Sequence, residues 1–240
     1  MIDKKGTTAH NSCITHCLPY AFENCTQIHS SDCEKCSRLF KLFNLLQEEL
    51  PETDKEVLAD CQQKIYYYLA HQVRKTYLNA QFTPALLQLD EEGALLVVDY
   101  KMRVLPKTAR ETKQNFFGKH GWTLHTTLVH TRSADNDNTF DICAYDHWSN
   151  DTKQDAWFTA SSLDAVISNL TPCPKWVTII SDNGPHYHNS ELMAILAHWK
   201  DWYNVEVRRW LFLEAGEAKT IIDSHHAQAR TLRLVLFCYG

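Results

Sequence analysis

Two sets of side chains in this 240-residue sequence have the types and the spacing to bind metal ions. The first set is a run of cysteines and histidines close to the N-terminus. The second set is a series of carboxylates that follow apolar segments between residues 99 and 223. Thiolates and imidazoles are ligands of Zn²⁺, whereas Mg²⁺ binds through carboxylate oxygens. The sequence therefore predicts two kinds of metal site with different chemistry.

The cysteines are unevenly distributed, since five of the nine lie between residues 13 and 36. Four potential ligands of this segment have the short spacing that suits a tetrahedral zinc ion, namely Cys25, His29, Cys33 and Cys36. Cys13, His16 and Cys17 are alternative ligands that could enter this site or help to form a second one. The segment has too few apolar residues to bury free thiols in a core, so we expect a structural zinc site.

Two of the carboxylates, Asp99 and Asp182, come directly after apolar segments that predict buried strands, Ala94–Val98 and Trp176–Ile180. If the two strands are parallel neighbours, about 4.8 Å apart, both carboxylates lie at one end of the sheet. Like charges this close need a proton or a cation between them. Paired acids of this kind can hold two Mg²⁺ ions about 3.5–4 Å apart.

A third acid is needed, and the sequence leaves it open between Asp223 and Glu214. Glu214 follows the last predicted strand, and Asp223 lies early in the last predicted helix, which begins at the same edge of the sheet. We favour Asp223 as the third ligand and Glu214 as a fourth or supporting ligand. Each acid taken alone is better explained as a turn former or a helix cap. Their joint placement at the carboxyl ends of strands favours a metal site.

Four histidines accompany these acids. His186 and His188 follow Asp182 closely and could contact phosphate or carry a proton, although an ordinary polar loop explains them slightly better. His226 comes three residues after Asp223 and so shares its helix face, where it could orient the carboxylate. We expect His225 to face solvent.

Six basic residues and one acid lie between residues 101 and 120, a local charge of +5 (6 − 1). The six are Lys101, Arg103, Lys107, Arg110, Lys113 and Lys119. A basic segment beside an acidic metal site fits binding to the DNA backbone, and Lys219 could hold a scissile phosphate as a point charge. From charge alone, a solvated insertion between two strands is an equally good explanation.

The elements that must position these residues follow the order β-β-β-α-β-α-β-α from residue 93 onward. Strands are predicted at 93–100, 122–131, 139–148, 176–180 and 205–213, and helices at 151–170, 191–203 and from 219. The first three strands predict a meander, and the later strand–helix–strand units require parallel neighbours with right-handed crossovers. The fold class is therefore α/β, with a five-stranded mixed sheet and helices on both faces.

Two further helices, 37–50 and 53–78, are predicted ahead of the sheet. We expect a disordered tail at 1–12, the Cys/His-rich zinc-binding segment and first helix at 13–50, a helical linker region at 51–90 and the sheet domain at 91–240. The net charge of −5 argues against a uniformly basic protein. No apolar run approaches the roughly 18 residues of a membrane span, and the polar first residues do not resemble a secretory signal.

Three stretches of the sequence resemble an uncharacterised group of transposon-derived proteins that also have a Cys/His-rich N-terminal segment. They are Val97–Met102, Ser181–Asn189 and the segment from Glu214 to Asp223. Ile180–Pro185 also looks like the second-acid motif of retroviral integrases and DDE-type transposases. The predicted order of elements is similar to that of the ribonuclease H-like fold, which these enzymes share.

The resemblance implies a DDE-type transposase core that cleaves DNA phosphodiesters and transfers strands. It implies that Asp99, Asp182 and either Asp223 or Glu214 hold two Mg²⁺ or Mn²⁺ ions, with DNA as the partner. Nuclear localisation follows from that substrate, and a homo-oligomer is compatible with it. One alternative is a domesticated or truncated copy that binds nucleic acid or protein without catalysis, and another is a nuclease of the same fold. The apolar segment Thr231–Gly240 favours a truncated last helix.

Overall fold

The computed structural model describes residues 9–30, 33–104, 112–114, 121–133, 139–214 and 222–228, without the side chains of residues 102 and 103. The chain divides into two compact units, Met1–Ala80 and Gln81–Gly240. Within the described residues, no helix combines the length and the apolar character needed to cross a membrane.

The N-terminal unit is helical. A short 3₁₀ helix, Ile14–His16, precedes α1 (Leu18–Ala21), α2 (Glu34–Glu49) and α3 (Glu52–Asn79). The two long helices predicted from apolar periodicity are confirmed, and Pro51 separates them with an extended backbone. Aromatic contacts join these elements, with the rings of Phe40 and Tyr66 at 5.8 Å.

The C-terminal unit contains a five-stranded mixed sheet. Its strands are β1 (Gly93–Val104), β2 (Trp122–Arg132), β3 (Phe140–Ser149), β4 (Trp176–Asp182) and β5 (Glu206–Leu213). The spatial order is β3-β2-β1-β4-β5. The pairs β1–β2 and β2–β3 are antiparallel, whereas β4 is parallel to both β1 and β5. The predicted α/β architecture and the predicted neighbourhood of the first and fourth strands are confirmed, and the order is consistent with the ribonuclease H-like fold.

Helices accompany this sheet: α4 (Phe82–Leu87), α5 (Ala156–Asn169), α6 (Ser190–Ala197), α7 (Trp199–Tyr203) and α8 (222–228). The prediction that 191–203 is one helix is wrong. The N–H of His198 bonds to the carbonyl of Ile195, which tightens the last turn of α6 and ends it. The predicted start at residue 151 is also wrong, because the carboxylate of Asp155 accepts a hydrogen bond from the N–H of Phe158 and caps α5.

The core lies on the face of the sheet that carries Leu96, Val98 and Ile179. Helices α5 and α6 supply Leu163 and Leu192, both fully buried, to the same cluster. The inner strand β2 is buried on both faces from Thr123 to His130, as expected for the interior of a covered sheet. The second face is therefore also covered, and it is the face that carries the acids.

At the N-terminal edge of the sheet, Gly93 pairs with Trp176 across β1 and β4. A Cβ atom on Gly93 would overlap the indole ring of Trp176. The Trp176 indole N–H donates to Asp90 at 3.0 Å, and the Arg208 guanidinium lies 4.2 Å from the centre of the ring. Glycine is needed at residue 93 because the tryptophan occupies the space of a side chain.

Candidate metal centre

Strand register places four polar side chains in one row across the sheet. Asp99 in β1 pairs with Thr126 in β2, and Thr126 pairs with Asp146 in β3. On the other side, the pairing of β1 with β4 ends at Val97 and Ile180, and Asp99 and Asp182 lie two residues beyond that pair. Because side chains alternate between faces with a period of two, these residues share one face of the sheet.

The expected position of Asp99 at the end of its strand needs a correction. β1 continues to Val104 because β2 goes on pairing with it, through Lys101 with Leu124 and Val104 with Trp122. The pairing of β1 with β4 has ended earlier, at Val97 and Ile180. Asp99 thus lies where the parallel ladder ends rather than where the strand ends, which still brings it to the edge reached by Asp182.

Helix α8 brings two further ligands to this row. Ligand atoms of Asp99, Asp223 and His226 lie within 4.8 Å of one another. The Nδ1 atom of His226 is 3.6 Å from Oδ2 of Asp99, and the His226 side chain is fully buried. Glu214 directly follows β5 and is half-buried, but it is not in this group within the described part of the chain. Of the two alternatives for the third acid, the structure places Asp223 beside Asp99.

The surroundings of Asp99 favour its neutral, protonated form. Burial, together with the charges of Asp182 and Asp223, raises the pKa of Asp99 to about 7. His186 and Lys101 act in the opposite direction and offset part of this effect. A carboxyl group in this state is stabilised either by a proton or by a cation.

Asp182 responds in the opposite way. The imidazole of His186 lies 3.4 Å from its Oδ1 atom and lowers the pKa of Asp182 against the effect of burial. The N–H of Gly184 donates to the same oxygen at 2.8 Å, which lowers that pKa further. Asp182 therefore acts as a turn former, which is the explanation that the sequence favours for this acid taken alone. Its carboxylate is also kept ionised beside Asp99. Two neighbouring acids with opposite pKa shifts are a feature of active sites.

A hydrogen-bond chain connects α8 to the row of polar residues. The hydroxyl of Thr126 donates to Asp146 at 2.6 Å and lies 2.9 Å from Nε2 of His226. His225 contacts both carboxylate oxygens of Asp146 at 3.0 Å. The expectation that His225 faces solvent is therefore wrong, because Asp146 draws it toward β3.

This chain fixes which nitrogen of His226 carries the proton. Thr126 gives its hydroxyl hydrogen to Asp146, so it accepts a hydrogen bond from Nε2–H of His226. Burial lowers the pKa of His226 to about 4, and the ring is neutral near pH 7. Its unprotonated Nδ1 atom thus faces the Asp99 carboxylate, an arrangement that repels unless a proton or a cation lies between them.

The donor set fits a divalent cation that binds oxygen and imidazole. The buried Nδ1 of His226 and Nε2 of His186 have no hydrogen-bond partner of good geometry among the described residues. Each of them faces an aspartate of the site. Carboxylate oxygens suit Mg²⁺ or Mn²⁺, whereas an imidazole nitrogen is a more typical ligand of a transition-metal ion. The residues present therefore fit the metal that the sequence predicts.

The turn that carries His186 is anchored from the opposite face of the sheet. The hydroxyl of Tyr187, which is fully buried, contacts Nε2 of His125 at 3.0 Å. Burial lowers the pKa of His125 to about 3, so this ring stays neutral. The ring of Tyr100 lies between, 4.4 Å from that of His125 and 4.9 Å from that of His186.

The predicted DNA-binding residues fall only partly within the described structure. Lys101 lies two residues beyond Asp99, on the same face of β1, and its charge acts on both Asp99 and His226. Lys113 is exposed. The side chain of Arg103 and all of Lys107, Arg110, Lys119 and Lys219 lie outside the described residues.

The N-terminal cysteines and histidines form two groups rather than one cluster of sequence neighbours. Ligand atoms of the first group lie within 4.8 Å of one another, and its members are His10, Cys17, Cys25 and His29. The second group consists in the same way of Cys13, His16 and Cys33, and Cys36 adjoins it with its sulfur 3.5 Å from that of Cys13. The four predicted ligands are thus divided between the two groups.

Three contributors were not predicted. Thr126 and Asp146 belong to strands recognised only by alternation, and their meeting with Asp99 depends on a register that alternation does not determine. His10 lies in the segment expected to be a disordered tail. The signal for His10 was its spacing of three residues from Cys13, which His16 repeats.

Comparisons with known proteins give a family and three solved structures. The family described as "Domain of unknown function (DUF8701)" matches residues 79–234. No curated protein matches the sequence significantly. The description of the DUF8701 family assigns no activity. A function for this chain therefore has to be inferred from the chemistry of the site.

Among solved structures, the chain is similar to the catalytic core domain of BIV integrase, with 11% identity over 57% of this chain and 66% of that chain and a TM-score of 0.27. A chain of the Mos1 Strand Transfer Complex gives 12% identity, 87% and 68% coverage and a TM-score of 0.34. The Mos1 transposase paired-end complex with left transposon end gives 14%, 78%, 62% and 0.29. This chain spans about two thirds of those chains, and likenesses this weak carry no functional assignment.

Proposed function

The chain belongs to the DUF8701 family of domains of unknown function, and from its site we propose that it is a metal-dependent DNA phosphodiester cleavage and strand-transfer enzyme of the DDE transposase type. The observation that carries the proposal is the meeting of Asp99, Asp223 and His226 within 4.8 Å, with Asp182 close enough to raise the pKa of Asp99. Near and above neutral pH, where Asp99 loses its proton, a bound cation would neutralise this constellation.

In this proposal Asp99 is the shared ligand at the centre of the row. Asp182 approaches from β4 and Asp223 from α8, so the three carboxylates come from three elements. His226 adds its Nδ1 lone pair, since its other nitrogen is used by Thr126. Two divalent cations, when bound, would activate a water or a 3′-hydroxyl and stabilise the leaving oxygen.

Other residues of the chain prepare the site for a polyanion. His186 keeps Asp182 ionised, so that one acid is ready to bind metal near neutral pH. Lys101 places a positive charge on the same face, where it can hold a phosphate of the DNA backbone. We propose the same role for the basic segment that follows Lys101 and for Lys219. A DNA substrate would place the protein in the nucleus, and assembly on paired DNA ends would involve a homo-oligomer.

The N-terminal unit has a separate, structural role in this proposal. Its cysteines and histidines lie at distances from one another that zinc ligands adopt. Zinc would stabilise a segment that has little apolar core of its own. The acid site and the zinc segment are independent parts of the proposal, because they use different residues and different ligand chemistry.

The experiment is a nicking assay on supercoiled plasmid DNA with Mg²⁺ or Mn²⁺, using the full chain. We expect metal-dependent nicking by the wild type, and for Asp99→Ala and Asp182→Ala only the level of the metal-free reaction. The matched control is Asp141→Ala, an exposed acid of β3, which should retain activity. DNA binding of all variants is measured in parallel by fluorescence anisotropy.

Two outcomes would contradict the proposal. If the wild type binds DNA but never nicks it, the protein is a non-catalytic DNA-binding derivative of the fold. If the two aspartate variants nick as well as the wild type, these acids are not part of the mechanism. Nicking without joining of the cleaved strand to a second DNA would instead identify a nuclease.

A further inference from the structure

The Cys/His-rich segment contains enough ligands, correctly spaced in three dimensions, for two metal ions. In the first group, Nδ1 of His10 lies 3.3 Å from the sulfur of Cys25 and 3.7 Å from the sulfur of Cys17. The sulfur of Cys25 is 3.9 Å from Nε2 of His29. These are four ligand atoms gathered around one point, from residues that span twenty positions of the sequence.

The second group is built at the N-terminus of α2. Cys33 is the N-cap residue of this helix, and Cys36 lies in its first turn. Cys13 precedes the 3₁₀ helix Ile14–His16, His16 is its last residue, and both reach the same place. The sulfurs of Cys13 and Cys36 are 3.5 Å apart, and the start of a helix stabilises thiolates.

The observed separations are those of tetrahedral zinc ligands. Zinc–sulfur bonds of about 2.3 Å and zinc–nitrogen bonds of about 2.0 Å imply separations of about 3.8 Å between two sulfurs and about 3.5 Å between sulfur and nitrogen. Ordinary side chains packed without a metal have no reason to gather four such atoms in one place, and three with a fourth sulfur adjoining them in a second place, within one segment. None of the five thiols forms a disulfide.

We propose that the N-terminal unit binds two zinc ions whose ligands interleave along the chain. One ion is held by His10, Cys17, Cys25 and His29, and the other by Cys13, His16, Cys33 and Cys36. Ligands that are close in sequence bind different ions in this assignment. Cys13 and Cys17 belong to different sites, and so do His29 and Cys33. The segment 10–17 is thereby fastened twice, once to residues 25–29 and once to the start of α2.

Burial supports this assignment. Cys13, Cys17 and Cys36 are among the most buried residues of the unit, at 3%, 0% and 5% exposure. Described apolar residues that are buried beside them are few: Ile14, Ala21, Phe43, Leu58 and Ala70. So small a core does not order a segment of this length without help, and metal binding can supply the missing folding free energy.

The inference deepens the proposed zinc binding of this unit and does not depend on the acid site. Its test is the zinc content of the purified full chain, measured by mass spectrometry and normalised to protein. We expect two zinc ions per chain in the wild type. Cys25→Ser and Cys33→Ser should each leave one ion, and Cys61→Ser should leave two, because Cys61 is exposed on α3 and belongs to neither group.

A single site formed by Cys25, His29, Cys33 and Cys36 makes a different prediction. The wild type would then hold one ion, and both cysteine variants would lose it. A content of one overturns the two-site inference but leaves the proposed zinc binding intact, whereas a content of zero overturns both. Neither result bears on the nicking assay.

A second measurement removes the dependence on variants that fail to fold. In the wild-type protein, zinc-bound thiolates react slowly with an alkylating reagent, and a peptide map reports each cysteine separately. We expect Cys13, Cys17, Cys25, Cys33 and Cys36 to be protected together, and the exposed Cys61, Cys143 and Cys173 to react. Rapid reaction of Cys13 and Cys17 would overturn the proposed partition.

Discussion

Asp99 and its neighbour Asp182 differ in the charge that they carry near neutral pH. The side chain of Asp99 is 22% exposed, and its pKa of about 7 places its titration near neutral pH. Asp182, only one strand away, has a lowered pKa because His186 lies beside it. At the scale of single residues, the two acids therefore differ in protonation. Asp182 is ionised and ready to bind a cation, whereas Asp99 still has to lose its proton before it can bind one.

The first prediction concerns the stability of the protein without divalent cations other than zinc. Because the folded-state pKa of Asp99 lies above its ordinary value of 3.8, folding takes up a proton between these pH values. The free energy of unfolding should then fall as the pH rises from about 4 to about 7. Asp99→Asn removes this loss, and we expect it to stabilise the protein at pH 8 by about 2–4 kcal/mol, at about 1.4 kcal/mol per pKa unit.

Urea unfolding of wild type and Asp99→Asn across this pH range measures the difference. The exposed Asp141→Asn serves as the control and should follow the wild type. Addition of Mn²⁺ at pH 8 should stabilise the wild type and leave Asp99→Asn almost unchanged, because a ligand that binds only the folded state stabilises it. If the free energy of unfolding changed with pH in the same way for the wild type and Asp99→Asn, the raised pKa of Asp99 would be contradicted.

The second prediction concerns the hydroxyl of Thr126, which links Asp146 to His226. Thr126→Val keeps the shape of the side chain but removes both hydrogen bonds in a fully buried place. We expect a loss of about 1–3 kcal/mol of stability, because the buried Nε2–H of His226 is left without its hydrogen-bond acceptor. Thermal or urea unfolding measures this loss.

The same strand offers a matched control. Thr123 is also fully buried, and its hydroxyl has no hydrogen-bond partner among the described residues. Thr123→Val should therefore leave stability unchanged or raise it. If the two valine variants behave alike, the hydroxyl of Thr126 has no special role in holding α8.

At the scale of elements, the turn after β4 shapes the site. The carboxylate of Asp182 accepts a hydrogen bond from the N–H of Gly184, and the ring of His186 lies against Gly184. A Cβ atom on Gly184 would overlap Cε1 of that ring and stand 2.9 Å from Oδ1 of Asp182. The turn thus requires glycine because two functional side chains fill the space beside it.

We predict that Gly184→Ala weakens Mn²⁺ binding by about tenfold to a hundredfold, the effect typical of displaced supporting groups at a metal site. The displacement of His186 and Asp182 is the cause, and global stability should change little. Isothermal titration with Mn²⁺ measures the affinity. Asn183→Ala, an exposed change in the same turn, should bind like the wild type, and equal affinity in both variants would contradict this account.

The elements themselves were largely predictable from the sequence. Ala94–Val98 is a continuous apolar run and Trp176–Ile180 is a largely apolar one, because both faces of their strands are covered. This signal can be recognised without knowledge of the fold. The extension of β1 to Val104 was not predictable, since it depends on pairing with β2. The break of the helix at His198 was missed for a similar reason, because a single tightened turn leaves no trace in apolar periodicity.

At the scale of the whole molecule, the two units differ in what holds them together. The sheet unit has a continuous apolar core, whereas the N-terminal unit buries few apolar side chains. We predict that removal of zinc by a chelator unfolds residues 9–80 while the sheet stays folded. Hydrogen exchange should show lost protection in α2 and α3 and unchanged protection in β1, β2 and β4.

Restoring zinc in excess should restore the protection of α2 and α3. Continued protection of these helices in the chelated protein would show that Phe40, Tyr66 and their neighbours suffice without metal. Simultaneous loss of protection in the sheet would show that the two units do not unfold separately.

The candidate site was predictable in part. The nearness of Asp99 and Asp182 followed from the order of strands, because parallel neighbours end at the same edge of a sheet. The choice of Asp223 over Glu214 did not follow, since it depends on where α8 crosses the sheet. The partition of the cysteines could not be predicted either, because Cys17 and Cys25 meet in the folded chain and their spacing in the sequence does not show this.

The hydrogen bond between Thr126 and His226 joins residues one hundred positions apart. A ribosome adds residues from the N-terminus at about 5–20 per second, so β1, β2 and β3 are made several seconds before α8. During that interval Asp99 has neither Asp223 nor His226 beside it. A nascent chain in which these three strands have already paired should thus lack a complete set of the proposed metal ligands until synthesis has passed residue 226.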